Sequence, residues 1–193
     1  MTNNPESIII QNYQETKLYL FQNKFPQIHE SVFLAPGVKI IGDVVIGEKS
    51  SVWYNSVIRG DVHFIKIGAW TNIQDLSMFH VTTCKFPLVI GNKVTIGHSA
   101  TLHGAVIEDS TLIGIGSTIL DGAVVESNSM VAAGSLVKQG YKVPSGKLVA
   151  GVPAKIIRDI TEEEIMEIEN SALRYYEYCK LTMDSLSLNQ KEH

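Results

Sequence analysis

The sequence predicts an all-β solenoid of short parallel strands followed by a C-terminal α-helix, and three features carry that expectation. Branched aliphatic or Phe side chains recur at every sixth position through much of the chain. Small or β-branched residues recur four positions after them, and the pattern ends at a helix-start signature around Thr161.

Ile8, Ile9 and Ile10 suit a strand, so residues 1–33 are assigned to an N-terminal strand segment. From Leu34 the step of six runs through Ile40, Ile46, Val52 and Ile58. It resumes as Ile67, Ile73, Phe79, then as Ile90, Ile96, Leu102, and finally as Ile107, Ile113, Ile119, Val125, Val131, Val137. The accompanying small positions include Val38, Val44, Ser50, Ser56, Thr71, Ser77, Ala100, Thr111, Ser117, Ala123, Ser129 and Ser135. A helix would give spacings of three and four, and a plain strand would alternate by two. A step of six suits short strands joined at corners, three to a triangular coil of about 18 residues, with roughly six coils after residue 34.

The step fails in three places. RGDVHFIK adds residues at a corner after Ile58, about five residues of VTTCKFPLV leave as a loop after Phe79, and one residue is lost between Leu102 and Ile107. Loops leaving a rigid stack are where functional groups concentrate. The coil is assigned to residues 34–158, a helix to 159–185 and a flexible tail to 186–193. Thr161 and Glu164 form a capping box, Ile160 and Ile165 a hydrophobic staple. Ile165, Ile168, Ala172, Tyr175, Cys179 and Met183 make one apolar stripe at helical spacing.

Composition narrows the function. A formal net charge of −4 with no Lys/Arg-rich run argues against a nucleic-acid partner, and no apolar run is long enough for a membrane span. MTNNPESIIIQNYQ lacks the basic start and cleavage site of a secretory signal, and Cys84 and Cys179 make no disulfide framework. A reducing cytoplasm is the expected location.

Three of the six histidines, His80, His98 and His103, fall in the middle coils. His80 follows inward Phe79 and His103 follows inward Leu102, which occupy the same corner of successive coils once the loop is set aside. Their rings then stack about one strand spacing apart, roughly 4.8 Å, close enough to share a metal. His98 follows Ile96 by two and faces a different side, from which it reaches such an ion only across a contact between copies. A plain count instead separates His80 and His98 by eighteen, one nominal coil; the register is preferred because it accounts for the loop. Three imidazoles with one open position make a catalytic zinc arrangement, though they suit Fe2+ or Co2+ as well. Histidines without a metal are the competing assignment. Cys84 is weighed as an additional ligand and not preferred as one, while His29 and His193 are read as surface residues and His63 as an idle one in preference to a proton shuttle.

The segments WYNSVIRGD (53–61), TNIQD (71–75), the FH at His80, TIGHSATLHG (95–104) and GVPAKIIR (151–158), with the final helix, together resemble the γ-class carbonic anhydrases. Relatives encoded with carnitine and phenylacetate metabolism share the pattern. The resemblance implies a left-handed parallel β-helix assembled as a homotrimer. It implies zinc held by His80 and His103 of one subunit and His98 of the next, with zinc-hydroxide hydration of CO2 to bicarbonate at the subunit interfaces. Gln74 would hydrogen-bond the hydroxide or CO2, Asn72 would assist, and Tyr175 matches a tyrosine near the site. Arg59, Asp61 and Asp75 would form an ion-pair network at the contact.

One departure is plain. Well-known active members carry a glutamate after the Asp of the RGD-like segment and an acidic loop after the first zinc histidine; here stand Val62 and VTTCKFPLV. Proton transfer is left without an obvious carboxylate. Three alternatives therefore stand beside the anhydrase: a metal-dependent acyl-CoA thioesterase, a hexapeptide acyltransferase using a histidine base and no metal, and a non-catalytic metabolite-binding trimer.

Overall fold

The computed structural model describes residues 16–189. Ile8–Ile10, His193 and the last residues of the expected tail lie outside this range.

Parallel strands stack into three faces of a triangular prism. On the first face Leu34, Val52, Ile73, Ile96, Ile113, Val131 and Val149 are in register. The second aligns Ile40, Ile58, Phe79, Leu102, Ile119 and Val137. The third aligns Ile28, Ile46, Ile67, Ile90, Ile107, Val125 and Val143. None of these side chains is more than 7% exposed, so the six-residue step is the period of the core. Each buried aliphatic of this size contributes about 1.5–3 kcal/mol of transfer free energy.

The small positions are buried too, and their hydroxyls have a task. Ser50 Oγ donates to Gly68 O (2.8 Å), Ser56 Oγ to Gln74 O (3.0 Å) and Thr71 Oγ1 to Gly91 O (2.8 Å), tying each corner to the next coil. A buried polar group needs such a partner.

Four features differ from the sequence expectation. Coil stacking begins before residue 34, because Gln27–Ile28 already pairs with Val45–Ile46. The added residues after Ile58 lie within one long strand, Val57–Ile67, with the irregularity where Gly42 pairs with Gly60 and Val44 with Ile65. GVPAKIIRD does not simply leave the repeat: Ala154–Asp159 folds back antiparallel on Lys147–Gly151 and ends the first face. Helix α1 spans Glu162–Asn189, so residues 186–189 of the expected tail are helical.

The capping box forms as expected. Glu164 N–H donates to Thr161 Oγ1 (3.2 Å) and Thr161 N–H donates to a Glu164 carboxylate oxygen (2.9 Å). Ile168, Ala172 and Cys179 are buried against the prism, with Tyr175 and Met183 half-buried. The helix lies along the first face, where Ser171 Oγ meets Thr95 Oγ1 at 3.1 Å. No described helix is long and apolar enough to cross a membrane.

Candidate metal centre

Alternation along a strand points the residue after each inward Phe79 and Leu102 outward at the edge between the second and third faces. His80 and His103 are paired in register there. Their rings are 5.0 Å apart between centroids, with His80 Nδ1 3.0 Å from His103 Nε2. The stacking expected from the register is therefore present. Val62 is partly exposed, and Cys84 is an exposed free thiol on the 81–87 loop.

Each ring is held from its far side by a carboxylate. His80 Nε2 is 3.0 Å from Asp61 Oδ1, and His103 Nδ1 is 2.8 Å from Asp121 Oδ1. Burial alone would raise the Asp61 pKa, but hydrogen bonds from Arg59 and His80 outweigh it and hold the carboxyl below its usual range. Arg59 Nη1 donates to Asp61 Oδ2 at 2.6 Å. With each ring's proton on the nitrogen that faces its carboxylate, Nδ1 of His80 and Nε2 of His103 turn their lone pairs toward each other. A shared cation relieves that opposition, and imidazole nitrogens suit Zn2+, Fe2+ or Co2+.

His98 stands at the other end of the second face. Thr95–Ile96 lies on the first face, and the turn after it carries His98 onto the edge between the first and second faces. Its Nδ1 is 2.7 Å from Asp75 Oδ2. Within one chain His98 does not approach the His80–His103 pair, and no group of three or more His, Cys, Asp or Glu side chains is gathered to hold a metal among the described residues. The expected network is divided in the same way: Arg59 and Asp61 pair at one edge, whereas Asp75 pairs with His98 at the other.

Of the remaining sequence candidates, Tyr175 shares a cavity with His98, and Gln74 directly precedes Asp75, the partner of His98. Gln74 and Asn72 lie on the outer side of the first face, both buried, with Gln74 Nε2 donating to Asn72 Oδ1 (3.2 Å) and Asn72 Nδ2 to Thr95 Oγ1 (2.9 Å). Tyr175 packs edge-on against Trp53, centroids 5.5 Å apart, and lines a cavity of about 360 Å³ with Asp75 and His98. Burial, then the Asp75 charge, raises the Tyr175 pKa, so the phenol stays protonated at neutral pH. His63 accepts from the Phe64 N–H through Nδ1 (2.9 Å), while His29 is exposed and bonded to Ser31.

Sequence reading missed Asp121. The signal was available: with one residue lost before Ile107, Leu102 registers with Ile119, so Asp121 falls one position past the register partner of His103 on the next coil.

Known proteins bear on this geometry. The bacterial transferase hexapeptide family (six repeats) matches residues 25–60 and 104–139. The chain is 49% identical to a carbonic anhydrase of Geobacillus kaustophilus over 83% of its own length and 87% of that protein. It is also 49% identical to the mitochondrial gamma carbonic anhydrase 1 of Arabidopsis thaliana over 79% of its length, but spans only 58% of that protein. The crystal structure of a hexapeptide transferase family protein from Anaplasma phagocytophilum superposes with a TM-score of 0.82 at 43% identity, covering 86% of this chain and 97% of that one. With these identities extending over most of its coils, the chain belongs to the hexapeptide-repeat γ-class carbonic anhydrase family.

Proposed function

We propose that this chain hydrates CO2 to bicarbonate as a homotrimer, with a divalent metal held by His80 and His103 of one subunit and His98 of the next. The observation that carries this is the division of three carboxylate-backed imidazoles between two edges of one prism. Two ligands on one edge and one on the other complete a set of three only when edges of neighbouring copies meet, and a closed three-fold ring repeats that contact three times. Backing of a ligating imidazole by a carboxylate or carbonyl is the usual support in metal sites.

When bound, such an ion brings water to a pKa near 7 and so makes it a nucleophile at neutral pH. The chain's own residues supply the rest. Gln74 donates one amide N–H to Asn72, leaving its second N–H to donate and its carbonyl oxygen to accept a hydrogen bond at the reacting water or CO2. Thr95 fixes Asn72 and thereby Gln74. Tyr175, protonated beside Asp75 and His98, is placed to donate, and Trp53 behind it limits water. Hydration releases a proton, and neither position 62 nor the 81–87 loop offers a carboxylate to take it. The proton therefore leaves to buffer, and turnover rises with buffer concentration.

Acyl transfer has one observation in its favour: a groove of about 440 Å³ between the first face and the start of α1, bordered by Gln74, Leu112, Ile115, Met130 and Arg158. No histidine borders it, so the histidine base that such a reaction would use is not at this groove, and the carboxylate that does border it, Glu164, is bound to Arg158 and the Thr161 N–H.

The test is metal content of anaerobically purified protein, followed by CO2 hydration and acyl-CoA hydrolysis assays with zinc, cobalt or ferrous iron. Bound metal and hydration activity, both lost in His98→Ala while the circular dichroism spectrum is kept, support the proposal. Metal-free wild-type protein that takes up none of these ions overturns it, and acyl-CoA hydrolysis without CO2 hydration redirects it to thioester chemistry.

A further inference from the structure

The geometry points to Asp121, locked by Thr82 of the 81–87 loop, as the positioning residue that orients His103 for metal binding. This rests on the proposed metal site and adds a residue to its support.

Asp121 Oδ1 lies 2.8 Å from His103 Nδ1. That contact fixes the ring's orientation and keeps the proton on Nδ1, so Nε2 is the nitrogen left to bind. A carboxylate by itself could swing about its own Cα. Here it cannot swing freely, because Thr82 Oγ1 sits 3.1 and 3.0 Å from its two oxygens and donates to one of them.

The loop that brings Thr82 is itself held. Thr82 pairs with Phe86 by backbone hydrogen bonds in both directions, which closes the loop on itself. The Phe86 side chain then rests on Gly104 and Gly122: a Cβ built on Gly104 would come within 2.7 Å of Phe86 Cβ, and one on Gly122 within 2.9 Å of its ring. The same Cβ on Gly104 would lie 2.2 Å from Asp121 Oδ1. Both glycines also have positive φ, +54° and +66°. The corner is thus stripped of side chains at the two places where the loop and the carboxylate come down beside His103. The residues that break the six-residue step after Phe79 are, on this view, a brace for the ligand on the following coil.

The experiment compares zinc affinity, by competition with a chelator, for wild type, Asp121→Asn, Thr82→Val and Thr82→Ser, each first checked for trimer formation and melting temperature. Loss of a supporting partner of this kind weakens metal affinity roughly 10–100-fold. Asp121→Asn should fall in that range and shift the visible absorption of the cobalt-loaded protein. Thr82→Val should weaken binding less than Asp121→Asn does, and Thr82→Ser, which keeps the hydroxyl, should match wild type. Asp121→Asn binding within about twofold of wild type, or Thr82→Ser failing as badly as Thr82→Val, overturns the inference and leaves the metal site standing. Wild type that binds no zinc removes the site and the inference together.

Discussion

Complementation between two defective chains gives the proposed shared site its strictest test. His80 and His103 share one edge of the prism and His98 the other, so a chain with His80→Ala still offers a sound His98 edge. A chain with His98→Ala still offers the sound pair. Neither homotrimer holds a complete ligand set. When equal amounts assemble at random, about three quarters of the rings contain both kinds of chain. Each such ring has a single contact at which the two sound edges meet. One contact of three in three quarters of rings restores about one quarter of wild-type sites. Co-expression with two affinity tags isolates the mixed trimers, which should then carry about one zinc where wild type carries about three. Hydration activity should return in the same proportion. Mixed trimers devoid of zinc, or a His98→Ala homotrimer at full metal content, would refute the reasoning.

Two other expectations follow from the corners and the helix. Gly104→Ala should destabilise the protein more than Gly116→Ala, because the added methyl meets Asp121 and Phe86 at the first position and nothing within 4 Å at the second. At Gly116 the cost is the strained backbone alone, about 1 kcal/mol, so equal shifts in thermal denaturation would remove the close-packed corner from the account. Hydrogen bonds from Arg158 and the Thr161 N–H pull the Glu164 carboxyl down to about 2, well below the ordinary range of a glutamate. A depressed carboxylate stabilises the fold above the unfolded pKa and loses that contribution as pH falls through the folded one. The helix start should accordingly weaken between about pH 4.5 and 2 in wild type, and Glu164→Gln should flatten that portion of the stability profile. An unchanged profile in the variant would count against the capping contact.

What the sequence could specify by itself was whatever repeats over short distances. Inward side chains fill a prism of fixed width, so the step from Ile107 to Val137 declares both the coil and its core, and Thr161 with Glu164 declares where the helix starts. Counting registers across the loop also sufficed to set His80 beside His103. The partners of outward side chains were a different matter, because they depend on what the next coil brings to the same corner. Asp121 meets His103 only after a full coil, and Asp75 turns to His98 instead of Arg59 because the second face lies between the two edges. Nor does a repeat announce its own end: Ala154–Asp159 folds back as an antiparallel strand through backbone hydrogen bonds, for which no side-chain pattern is needed. Tertiary structure alone decided these features, since hydrogen bonds between coils join residues whose separation along the chain varies with every loop.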